Sequence, residues 1–318
     1  MYSSSFRYLY PKVLMSFIVA SLSVFVPIQA QEIQVSSGTL KRFEKFPSEY
    51  VSPRNIDVWI PDGYDPLKKY DVLYMHDGQM LFDSMQTWNR QEWGVDETVS
   101  QLIREKKIRP VIIVGIWNSG STRHVEYCPQ KPFQALPGIY RDSLLQLGRR
   151  KDSSIIFKGE IQSDAYLSFI VKELKPYIDR TYSTYADPAH TFIGGSSMGG
   201  MISWYAVCEY PEVFGGAICL STHWTIIYTE KNNLVPASML GYLSGHLPDP
   251  KKHRFYFDFG TATLDTLYEP YQMQANRILL DHGYKFKQWR TVKFPGDDHS
   301  ERAWRQRLHI PLRFLLKK

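Results

Sequence analysis

Seven short apolar runs punctuate the chain, at residues 55–61, 70–78, 110–117, 190–196, 215–221, 254–261 and 288–296. Several are apolar at consecutive positions, the pattern of strands buried on both faces of a parallel sheet. Between them, apolar residues recur at helical spacing. Tyr166, Phe169, Ile170, Leu174 and Ile178 follow a Ser163/Asp164 pair suited to capping, and a last helical stretch covers 301–316. This alternation predicts one α/β domain over residues 31–318, a doubly wound, mostly parallel central sheet with helices on both faces. Residues 134–159 and 222–252 resist the pattern and read as loops or lid-like insertions over the sheet.

The N-terminus reads differently. Arg7 and Lys12 precede an apolar stretch from Val13 to Val26, and Ala30 offers a cleavage point. Residues 1–30 therefore predict a secretory signal peptide, too short to span a bilayer comfortably, and a mature chain that is secreted or periplasmic without stable membrane insertion. An uncleaved anchor is the alternative.

The remaining composition, 43% hydrophobic and 22% charged, suits a chain with a sizeable core. The formal net charge is +6, and loss of Arg7 and Lys12 leaves +4 with no block of basic residues. Nothing in that balance calls for a nucleic-acid partner. Three cysteines, Cys128, Cys208 and Cys219, form no CxxC pair. Buried free thiols are expected, although Cys208 and Cys219 are able to pair in an oxidising compartment. No HExxH or comparable cluster predicts a metal site.

Candidate chemistry centres on "GGSSMGG", where the spacing G-x-S-x-G fits once, around Ser197. A serine on a sharp strand-to-helix turn is exposed for attack, and glycines two positions either side let the strand and helix backbones pass closely. Such a serine needs a base. His299 follows the last strand-like run and precedes the last helix, on a loop at the carboxyl edge of the sheet. The acid is found by elimination. Asp258 lies within a strand-like run, Asp297 and Asp298 share a tight turn with His299, and Glu269 precedes Pro270 at a helix start. Asp265 remains, on the loop beyond Thr261. An oxyanion would take the Met198 amide and a second from Gly78 or Gln79, in "HDGQ" at the end of an early strand. Arg123 and Glu126 follow the run 110–117 and are expected to face substrate or to pair with each other. His223 and Trp224, after the next strand beyond the nucleophile, carry a weaker expectation of substrate contact.

Taken together, "HDGQMLFD", "TRHVEYCP", "GGSSMGG", "DFGTATLDTLYEPYQ" and "FPGDDHSERAW" resemble the esterase family of α/β hydrolases. That family includes esterase D-like enzymes, feruloyl and acetyl-xylan esterases, enterochelin esterases and mycolyltransferases. The resemblance covers about Asn55 to Leu316. It implies the α/β-hydrolase fold and a cofactor-free serine hydrolase with Ser197 as nucleophile and His299 as base. One departure is that Ala262 and Thr263 follow Thr261, where many relatives carry the acid within a few residues of the "GT". The substrate expected is a small-molecule or polysaccharide-linked ester, such as a feruloyl, acetyl or siderophore ester. Alternatives are an acyltransferase on the same fold and a catalytically inactive carbohydrate-binding protein.

Overall fold

A computed structural model describes Met1 and residues 30–33, 35–150, 153–229 and 231–317. The expected signal peptide falls almost wholly outside the described residues. Nine strands form one sheet: β1 (Ala30–Ile33), β2 (Thr39–Phe46), β3 (Arg54–Ile60), β4 (Asp71–His76), β5 (Val111–Ile116), β6 (Thr191–Ser196), β7 (Gly216–Leu220), β8 (Arg254–Gly260) and β9 (Trp289–Phe294). Their order is β1-β2-β3-β5-β4-β6-β7-β8-β9. The run β5-β4-β6-β7-β8-β9 is parallel, whereas β1, β2 and β3 pair antiparallel up to β5. The mostly parallel, doubly wound sheet is thus present, and all seven apolar runs lie within it.

Two apolar clusters cover its faces. One packs Tyr74, Val114, Ile193 and Phe257 against helices Ser163–Phe169, Met198–Glu209 and Glu269–Asp281. The other packs Leu73, Ile113 and Tyr256 against helices Val95–Arg104 and His309–Leu315. Every position of β4, β5, β6 and β7 is buried, which is why those runs lack alternation. Among the described residues, no helix is long and apolar enough to cross a membrane.

The helix expected from Ser163 is continuous to Thr181 but passes through a π turn at Ile170–Leu174. Pro176 stands just beyond and has no N–H to return to the preceding turn, so the backbone widens there. Ser163 does not cap it; its hydroxyl accepts the Gln130 N–H at 2.9 Å. Both irregular stretches contain helices, Gly138–Leu147 and Val235–His246. They meet where the Tyr140 hydroxyl donates to Asn233 and accepts from the Leu234 N–H. The cysteines are buried free thiols.

Candidate active site

Parallel strands send their carboxyl ends to one edge of the sheet, and the crevice there is where such sheets hold ligands. Ser197 follows β6 directly, with φ 57° and ψ −119°, and helix Met198–Glu209 begins one residue later. Few non-glycine residues adopt positive φ. The turn is fixed by Ser197 N–H to Leu220 C=O at 2.8 Å, while the serine's own carbonyl accepts Met201 and His223 N–H at 3.1 and 3.2 Å. A Cβ on Gly195 would lie 3.0 Å from the Gly199 Cα and 3.1 Å from the His76 Cβ, so bare backbone is required. Asp77, Ser221 and Thr263 also hold positive φ, shortly after β4, β7 and β8. Four of the ten described non-glycine residues with positive φ thus lie along this one edge.

Asp265 sits in a 3-10 turn, Thr263–Leu267, beyond β8. Its Oδ1 is 2.5 Å from His299 Nδ1. Its Oδ2 accepts the Gly260 N–H and the Ser221 hydroxyl, each at 2.6 Å. Burial works to raise this carboxyl, but His299, Ser221 and Gly260 together hold it below the usual aspartate range. Ser221 Oγ in turn accepts from Trp304 Nε1 at 3.0 Å and Arg307 at 2.9 Å. Arg307 is 2% exposed and also binds Asp258 at 2.9 Å and Asp297 at 3.0 Å. The two loops are stitched together by backbone. The Asp297 carbonyl accepts Thr261 and Ala262 N–H at 3.0 Å, and His299 N–H donates to Thr263 Oγ1 at 2.9 Å. The His299 ring stands 5.0 Å from Trp304 and 5.8 Å from Tyr268, both edge-on.

Ser197 and His299 share no hydrogen bond among the described residues. Ser197 is among the groups that act on the Tyr268 phenol, whose hydroxyl is 2.8 Å from His223 Nδ1. Burial pushes the Tyr268 phenol well above, and His223 well below, their ordinary values, so both are neutral. Met198 opens its helix and Gly78 opens the 3-10 turn Gly78–Met80, so their amides have no acceptor within their own helical turns. Gly78 packs where a Cβ would meet the Gly115 carbonyl carbon at 2.6 Å.

Arg123 and Glu126 do not pair with each other. Arg123 grips Asp77 at 2.6 and 2.8 Å and lies over the Tyr127 ring, with 23% of its side chain exposed. Glu126 is 1% exposed and is held by Arg54 through two bonds of 2.8 Å. Its charge is spent on Arg54 rather than offered to substrate. Trp224 is fully buried, stacked between Trp204 and Phe257, and donates to Gln272 at 3.0 Å. It is core, not crevice. His223 is 1% exposed; its N–H donates to the Ser197 carbonyl, and its ring meets Tyr268. Sequence reasoning missed Tyr268, Ser221 and Arg307. Tyr268 lies one 3-10 turn after Asp265, with its N–H on the Asp265 carbonyl at 3.1 Å, but an aromatic there carries no local signal of a site.

The chain matches the model of the family described as "Putative esterase" over residues 48–142 and 156–314. A Bacillus subtilis protein, uncharacterized protein YjcH, is 25% identical over 187 residues, 59% of this chain and 63% of that protein. The chain thus spans less than two thirds of that curated relative. Among solved structures, a ferulic acid esterase from Anaeromyces mucronatus superposes with a TM-score of 0.58 at 17% identity, covering 90% of this chain and 93% of that one. The enterobactin esterase from Shigella flexneri gives 0.57 at 18% identity, covering 91% and 59%. At such identities the structures speak for the fold alone, the α/β-hydrolase fold. The family match extends over most of the chain, through the serine turn and the Asp265–His299 pair, and the chain belongs to the esterase family of α/β hydrolases.

Proposed function

We propose that the chain is a carboxylic ester hydrolase that works through an acyl-enzyme on Ser197. The observation that carries this reading is the Asp265–His299 bond beside a serine on a strained strand-to-helix turn. With Nδ1 engaged by the carboxylate, Nε2 of His299 is the nitrogen left to take the Ser197 proton and return it to the leaving alcohol. A change of serine rotamer on substrate binding brings Oγ to His299; unliganded catalytic bonds commonly tighten only in the Michaelis complex. The developing oxyanion is received by the Met198 amide and that of Gly78 or Gln79. His223 orients Tyr268, and Arg123, anchored by Asp77, borders the substrate. Residues 31–318 act as one domain, delivered outside the cytoplasm after removal of residues 1–30. The ferulic acid and enterobactin esterases that share the fold support an acyl ester of an aromatic acid or polysaccharide as substrate.

The test is covalent. An organophosphonate ester should label the purified chain once, and peptide mapping should place the adduct on Ser197. Labelling at Ser196, or none, overturns the assignment. Turnover of p-nitrophenyl acetate, feruloyl esters, acetylated xylan and ferric enterobactin then sorts the substrate class.

A further inference from the structure

A cleft of about 830 Å³ opens at the opposite edge of the sheet, where β8 and β9 begin and the C-terminal helix crosses them. Its lining brings together Lys106, Lys287, Arg290, Arg313 and Lys317, with Arg254 and Lys107 beside them. Among the described residues that line it, none is acidic. Lys107 pairs with Glu105, but among the described residues the other cations here form no salt bridge with a carboxylate, although surface pairs are common elsewhere on the molecule. Arg290 lies over the Phe314 ring, and Arg254 donates to the Phe314 carbonyl at 3.3 Å. These seven cations exceed the chain's formal net charge of +6, so the rest of the molecule is close to neutral. Like charges crowded on one concave surface destabilise each other and focus a field that draws anions.

Phe286 adds a second feature. It is 77% exposed on the rim, stacked on Trp289 at 5.8 Å. A ring so presented offers a flat apolar platform among cations. We propose that this cleft is a secondary binding site for an acidic polysaccharide, remote from Ser197, that tethers the protein to polymer carrying its ester. Carboxylates spaced along the polymer meet the lysines and arginines, and the C–H face of a sugar ring rests on Phe286. A bilayer surface is flat and cannot enter a concave cleft. Nucleic acid would also match the charge, but a chain exported from the cytoplasm meets polysaccharide. The tethering role rests on the esterase reading and the choice of polysaccharide over nucleic acid on export; the cationic cleft rests on neither.

Polygalacturonate binding by the full chain, measured by calorimetry at low and moderate salt, tests the site without any turnover. The wild type should bind polygalacturonate and not unsubstituted xylan, with affinity falling as salt rises. Lys287→Glu/Arg313→Glu should weaken binding at least tenfold while p-nitrophenyl acetate hydrolysis stays unchanged. Phe286→Ala should weaken it several-fold with the charges intact. No binding at low salt overturns the proposal, as does full affinity in the double variant. Equal affinity for single-stranded DNA or anionic vesicles, with no effect of Phe286→Ala, reduces the cleft to an unselective cationic field and overturns it equally.

Discussion

Asp265 holds three partners at once, and asparagine can reproduce the shape of that arrangement but not its charge. Asp265→Asn leaves Ser221 and Gly260 their acceptor, yet offers His299 no carboxylate to stabilise its imidazolium. The expected loss in kcat is on the order of 10²–10⁴, with KM little changed. Steady-state kinetics on one verified ester decide it; near wild-type kcat would move the acid elsewhere. Tyr268→Phe is a gentler probe. It removes the phenol hydroxyl that acts on Ser197 and leaves His223 Nδ1 with only Thr225 Oγ1 at 3.4 Å, so kcat should fall roughly tenfold, the worth of a single hydrogen bond. A rate unchanged or raised would mean that Tyr268 shelters the resting serine instead of placing it. The Asp265–His299 contact was legible because every competing carboxylate carried a local reason to be engaged. In the structure Glu269 opens a helix and binds Lys293, while Asp258 is locked to Arg307. Tyr268 was not, since an aromatic in a short turn reads as core until its hydroxyl is located.

Elements explain both the accuracy and the gaps of the sequence pattern. Strands buried on two faces announce themselves as unbroken apolar runs, and those that position the serine are of this kind. β2 does not: Leu40 belongs to the apolar cluster on one face and Phe43 and Phe46 to the other, and a bulge between Phe43 and Phe46 shifts the register so that these two share a face three residues apart. A period of two is lost, and with it the signal. Helix Gly138–Leu147 buries only Leu144, leaving too little apolar periodicity to declare a helix. The contact between the two insertions depends on residues more than 90 positions apart, beyond any local pattern. At the serine turn, Gly195→Ala forces a methyl against backbone that cannot yield as a flexible side chain would. A destabilisation of about 1–3 kcal/mol should follow, visible as a lower melting temperature, together with a larger drop in kcat than in stability. A variant that melts and turns over like wild type would mean the strand and helix are less tightly apposed.

For the whole molecule, protonation is the lever. His76 and His124 are each held neutral down to about 3, and His223 well below its ordinary value, with burial the main cause in all three. A depressed histidine adds stability above its unfolded value near 6.5 and loses it as pH falls toward the folded one. Five carboxyls oppose this. Burial raises Asp96 to about 7 and Asp258 to about 6, and it raises Asp71, Glu92 and Asp164 as well, so the folded state holds their protons and gains from acid. The opposed groups leave a shallower acid dependence than the three histidines alone would give. Urea midpoints between about pH 6 and pH 4 check it. Asp96→Asn removes one opposing carboxyl and should make stability fall more steeply with acid; an unchanged slope would show that Asp96 does not keep its proton in the folded state. The stitching of loops 261–265 and 297–299 has a different consequence. Thr261, Ala262 and His299 donate their N–H groups across the same seam. In deuterium these amides should exchange at one shared rate, and that rate measures how often Asp265 and His299 part company while the sheet stays intact. Activity would then fade on warming before the bulk structure melts.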